Sequence, residues 1–222
     1  MGAHSGAFER NGEGAWLYGE WVNEPAQNRS EKTFFRFLDA AEQLLDDGHW
    51  HEVSVQNIVT EAEASVGSFY NRFQDKEALL HCLDGRLGQE CELTVDSLLQ
   101  ELELCRGLVP NAAQIMVSLL MRLCTERGGV IRALDIAAKT SPAGTYTGFN
   151  QRLEEALGRY ASHLKKHDDV LSKYDVKCIV GAFLETFAIA RETILYRKHA
   201  TSGETLHVNL MRHFRVSLMS WN

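Results

Sequence analysis

Residues 65–73, Ser65-Val66-Gly67-Ser68-Phe69-Tyr70-Asn71-Arg72-Phe73, constrain the fold of this chain more than any other stretch. They predict a short polar helix backed by two aromatic anchors. Phe69 and Phe73 stand four residues apart and face one side of that helix. Just upstream, Val55, Ile58, Val59 and Ala62 recur at helical spacing. The intervening Glu63-Ala64 step has room only for a tight turn. Two short helices joined in this way, the second presenting its N-terminal end, form the geometry that places a helix in the DNA major groove. Ser68, Tyr70, Asn71 and Arg72 are left for the outer face. Gly67 lets the backbone come close to a phosphate or sugar.

The flanking sequence reads as helix throughout. From Ser30, a good N-cap residue, Phe34, Phe37, Leu38, Ala41, Leu44 and Leu45 mark a first amphipathic helix closed by Gly48. Asp75 caps a long helix to about Leu104, before Pro110 forces a break. Further helices are predicted at 111–127, 129–139, 147–167, 175–198 and 204–220. Ser141-Pro142-Ala143-Gly144 marks a loop, and Thr201-Ser202-Gly203-Glu204 has capping-box spacing. No alternating strand pattern occurs, so the class is all-α. Residues 1–29 are Gly-rich and irregular but carry Trp16, Tyr18 and Trp21. They read either as a tail or as an arm that docks on the domain or reaches DNA through Arg10 and Arg29.

Ser54-Val55 to Ile58, Phe69-Tyr70 to Phe73, and Asp75-Lys76-Glu77-Ala78-Leu79-Leu80 together resemble the DNA-binding region of the TetR (tetracycline-repressor-like) family of bacterial transcriptional regulators. The resemblance covers about residues 30–85. It implies an N-terminal three-helix, helix-turn-helix DNA-binding domain over 30–80, and a C-terminal helical ligand-binding and dimerisation domain over 81–222. It further implies a homodimeric regulator, most often a repressor, acting on a palindromic double-stranded DNA operator and answering to a small-molecule effector. The family usually places Gly in the turn where Glu63 stands here. A left-handed conformation there costs Glu about 1 kcal/mol relative to Gly.

Site residues follow from this frame. Ser54 and Lys76, at the starts of their helices, are expected to bind phosphates, with Ser65 and Gly67 at the start of the reading helix. Ser68 and Asn71 are the candidates for base edges. Tyr70 and Arg72 suit either phosphate or base, and a partly buried packing role is the alternative for Tyr70. In the C-terminal region Met116, Leu120, Phe149, Phe183 and Phe187 are candidate pocket residues by size and position, each also an ordinary core residue. The segment 175–198 is apolar almost all round, which predicts burial on every side. Leu206, Leu210, Phe214, Leu218 and Trp221 form one stripe on the last helix. Together these two helices suit an intersubunit four-helix bundle, or else the internal core of a monomer.

Charge and composition narrow the alternatives. The formal net charge is −7, and residues 31–81 alone carry −6. Phosphate neutralisation supplies much of DNA affinity, so this acidity points to weak non-specific binding. Residues 65–73 contain no acid. The same acidity supports a rival reading, a TetR-like fold that has lost DNA binding and serves as a protein-interaction module. Five cysteines without Cys-x-x-Cys spacing suit reduced thiols in a cytoplasmic protein. The most apolar stretch, Ile179 to Ala190, holds Glu185 and abuts Arg191, so no membrane span is expected. No His-Glu-x-x-His, phosphate-cradling Gly loop or nucleophile elbow is present, and no metal, cofactor or catalysis is expected. His49 and His51, flanking Trp50, read as a surface turn.

Overall fold

The computed structural model describes residues 28–105, 111–197 and 202–220. The expectations for Arg10, Trp16, Tyr18, Trp21, Pro110, Thr201 and Trp221 lie outside them. Among the described residues, nine α-helices follow in order: α1 Asn28–Asp47, α2 Val55–Glu61, α3 Val66–Tyr70, α4 Lys76–Leu104, α5 Ala112–Glu126, α6 Gly128–Thr140, α7 Gly148–His167, α8 Val176–Leu195 and α9 Gly203–Ser220. A 3-10 turn at Leu171–Lys173 separates α7 from α8. No strand occurs among the described residues, as the periodicity predicts. The first helix starts at Asn28, inside the expected N-terminal extension, so Ser30 lies within the helix rather than at its cap.

The N-terminal domain is built on aromatic packing. Phe34, Phe37, Phe69 and Phe73 are fully buried. Phe34 stacks on Phe73 at 5.5 Å between ring centroids, and Phe37 meets Phe69 edge-on at 5.5 Å. Fully burying such a side chain contributes about 1.5–3 kcal/mol. This cluster is what holds a helix as short as α3 in place, because one turn and a half has little stability of its own.

The long helix α4 belongs to both halves. Asp75 Oδ1 accepts the Ala78 N–H at 2.7 Å and caps its start. Further along, α4 crosses α7 so closely that a Cβ on Gly88 would stand 2.8 Å from Arg152 Cδ and 3.1 Å from the Gly148 carbonyl oxygen. Beside the crossing, the buried Asp84 carboxylate accepts the N–H groups of Gly148 at 2.8 Å and Phe149 at 3.0 Å. A side chain of α4 therefore satisfies two of the amide groups that α7 leaves unpaired at its start. Arg152–Glu92 at 2.7 Å and Arg159–Asp96 at 2.9 Å continue the contact along both helices.

Helices α5, α7, α8 and α9 enclose the C-terminal core. Ile179, Phe183, Phe187 and Ala190 of α8 point into it. Within the protomer α8 leaves Glu185, Ala188, Ile189 and Glu192 exposed. Helix α9 starts at Gly203, and its cap is Ser202, whose Oγ accepts the Thr205 N–H at 3.3 Å.

Candidate nucleic-acid interface

The turn between α2 and α3 sets the angle of the whole site. Ser54 caps α2 by accepting the Asn57 N–H at 3.1 Å, and its own N–H donates to Asn57 Oδ1 at 2.9 Å. At the other end, Glu63 takes φ +45°, the left-handed conformation that the sequence made conditional. The Ala64 N–H donates to the Val59 carbonyl at 2.8 Å and the Glu63 N–H to that of Thr60 at 3.0 Å. These two bonds form a Schellman motif, which normally carries Gly at the position Glu63 occupies. Arg36 of α1 closes over the turn: its Nη2 donates to the carbonyls of Ala62 and, at 3.0 Å, Glu63. Its guanidinium also lies 3.7 Å from the Glu63 carboxylate.

Helix α3 is then presented outward. Ser65 caps it, its Oγ accepting the Ser68 N–H at 3.1 Å. Ser65, Gly67, Tyr70 and Asn71 are exposed, and Ser68 and Arg72 are half-buried. A Cβ on Gly67 would meet nothing nearer than Ser65 Oγ at 4.0 Å, so no packing inside the protein requires glycine there. Tyr70 is 52% exposed while its ring edge rests on Phe69, 5.4 Å between centroids. Arg72 Nε is shielded from solvent with no hydrogen-bond partner among the described residues. Three further residues face outward here: Val66, 41% exposed at the first turn of α3, and Gln56 and Thr60, exposed on α2. Gln56 and Thr60 fall away from the buried Ile58–Val59 face of α2, so their signal was available, whereas Val66 shares a side of α3 with Phe69 and its exposure was not legible from spacing.

Lys76 has a different setting from a free phosphate ligand. Its Nζ donates to the carbonyls of Trp50 at 2.8 Å and Val53 at 3.0 Å, and stands 4.6 Å from the centre of the Trp50 ring. Burial pushes its pKa below the ordinary value, with Glu77 acting in the opposite sense. Two of its three donors therefore tie α4 to the loop between α1 and α2.

Two groups of C-terminal candidate residues lie inside the protomer. Leu206, Leu210, Phe214 and Leu218 are buried inside the protomer, between 1% and 8% exposed, as the internal-core reading of the stripe expects. An amphipathic stripe states that one face is covered, and here α8 and α5 of the same chain cover it. The outward apolar residues of these helices are Ile189, Val208, Val216 and Met219. Of the candidate pocket residues, Met116 and Leu120 line a cavity of about 40 Å³ between α4, α5 and α7. Phe183 instead stacks on Phe214 at 4.5 Å, and Phe149 meets Phe187 at 6.0 Å. All four rings are buried in the C-terminal core.

Fold and site together define a class: a helix-turn-helix domain of the DNA-binding type, carried on a larger helical domain. Residues 37–83 match the model of the family described as bacterial regulatory proteins, tetR family. No curated protein sequence matches the chain. Among solved structures, a protein described as a TetR-family transcriptional regulator from Mesorhizobium loti MAFF303099 is similar with TM-score 0.57 at 19% identity, over 87% of this chain and 96% of that one. Another so described, from Syntrophomonas wolfei str. Goettingen, gives TM-score 0.57 at 18% identity, over 86% and 97%. The chain thus carries the sequence mark of the tetR family in its N-terminal domain and has the fold of a TetR-family transcriptional regulator.

Proposed function

We propose that this protein is a homodimeric transcriptional repressor that reads a palindromic operator through α3 and is released by a small-molecule effector. The observation that carries the reading is the outward face of α3: Ser65, Gly67, Tyr70 and Asn71 stand exposed on a helix whose orientation is locked by the Glu63 turn and by Arg36. Asn71 suits bidentate recognition of an adenine edge, and Ser68 a single base contact. Ser54, Ser65, Tyr70 and Arg72, with the remaining donor of Lys76, suit phosphates. Two copies joined through the exposed Ile189, Val208, Val216 and Met219 of α8 and α9 would present two such helices to two half-sites.

The effector would enter beside Met116 and Leu120. As it stands the cavity takes only a very small molecule, so a larger effector requires α4 and α5 to part. Titration of labelled DNA fragments at several salt concentrations tests the reading, which expects saturable binding that weakens steeply with salt. A second reading, a protein-interaction module without DNA binding, draws on the −6 balance of residues 31–81. It predicts no salt-dependent retention of any fragment.

A further inference from the structure

Arg127 occupies the corner between α5 and α6, and its guanidinium touches three parts of the molecule. It lines the cavity between α4, α5 and α7. Its Nε and Nη2 hold both carboxylate oxygens of Glu90 on α4, each at 2.9 Å. Its Nη1 lies 3.7 Å from Glu42 on α1, a helix of the N-terminal domain. Among the described residues the other cation near Glu42 is Arg86 of α4, at 3.6 Å, and Arg86 is shared with Asp39 at 2.7 Å. Burial raises the Glu42 pKa, and so do Glu90 and Asp39, while Arg86 and Arg127 lower it. A half-buried carboxylate in that position relies on both guanidiniums.

The corner is also in backbone contact with α1. A Cβ on Gly129 would collide with the Leu45 carbonyl, and Arg132 Nη2 donates to that same oxygen at 3.4 Å. A displacement of the corner is therefore passed directly to the C-terminal end of α1.

We propose that Arg127 is the residue through which occupancy of this cavity changes the posture of the DNA-binding helices. The inference rests on the DNA-binding reading above. A group that fills the cavity beneath the Arg127–Glu90 pair displaces the guanidinium from Glu42. The carboxylate left behind loses one of its two partners, and α1 regains solvation for it by moving off α6. Arg127 is a positioning residue in this scheme and touches no DNA.

The test needs no known effector. Thr94 lines the cavity one turn from Glu90, so Thr94→Met fills it from within and stands in for a ligand. DNA affinity is measured for the wild type, Thr94→Met, Arg127→Gln and the double variant, alongside their melting temperatures. Leu119→Phe, which fills the cavity from α5, replaces Thr94→Met if that variant does not fold. The expected result is a several-fold change in Kd for the filled variant that shrinks below twofold in the Arg127→Gln background. Equal shifts in both backgrounds, or no shift in either, overturn the proposal while leaving the DNA-binding reading intact. A wild type that binds no DNA overturns both.

Discussion

Arg36 donates to the main-chain carbonyl of Glu63 at 3.0 Å, across 27 positions of sequence, and so fastens the first helix to a turn residue held at φ +45°. The main-chain bond matters more than the ion pair between the same residues. The Glu63 side chain is 90% exposed, and such surface pairs contribute little. Glu63→Gly should relieve the left-handed strain and raise stability by about 0.5 kcal/mol after the entropy cost of glycine in the unfolded chain. Arg36→Ala should lower it by about 1–3 kcal/mol, because two turn carbonyls lose a charged donor. Chemical denaturation of both variants checks the opposite signs.

Lys76→Met should destabilise the protein by about 1–3 kcal/mol even without DNA, since the Trp50 and Val53 carbonyls lose a charged donor. A lysine that served phosphate alone would leave the melting temperature unchanged. Thermal unfolding of the free variant decides between these roles.

Asp84 makes stability depend on pH in a definite direction. Burial raises its carboxyl above the ordinary 3.8, against the lowering by the Phe149 and Gly148 N–H groups and by His81. A folded-state pKa above the unfolded value means that the native state binds the proton more tightly. Its contribution to stability therefore grows as pH falls through the raised pKa, and is complete below 3.8. Compared with Asp84→Asn, the wild type should gain stability between neutral and acid pH. Urea unfolding of the pair across that range checks the slope, and a constant difference would contradict it.

Substitutions on the two faces of α9 should separate folding from assembly. Leu210→Glu places a charge in the protomer core, where Leu210 is 1% exposed, and should cost several kcal/mol or prevent folding. Val216→Glu and Met219→Glu, at positions 58% and 69% exposed, should leave the protomer folded and split the dimer. Sedimentation with circular dichroism measures both properties. A wild type that sediments as a monomer at micromolar concentration would contradict the dimer.

The helix order, the turn and the inward Phe69 and Phe73 were legible in the sequence because each depends on residues close together along the chain. Glu63 was the most informative departure, since its left-handed turn follows from local geometry alone. The covering of Leu206, Leu210, Phe214 and Leu218 was not legible. Periodicity gives the buried face of a helix but not the element that buries it. Lys76 was unreadable for a related reason: its acceptors, Trp50 and Val53, lie 26 and 23 residues away. The filled core around Phe183 depends on its stacking against Phe214 of another helix, which size and position along the chain do not encode.

The central claim is that α3 reads a DNA sequence. Asn71→Ala should relax the preference at one base pair in each half-site, at a cost of about 1–3 kcal/mol there. Neutralising Glu61 and Glu63 should tighten binding to unrelated DNA more than it sharpens the preference. The most direct measurement is selection of bound sequences from a random DNA pool with the purified protein at low salt, repeated with Asn71→Ala. The account predicts a palindromic motif for the wild type and loss of information at one position per half-site for the variant. Recovery of no motif by the wild type would contradict it.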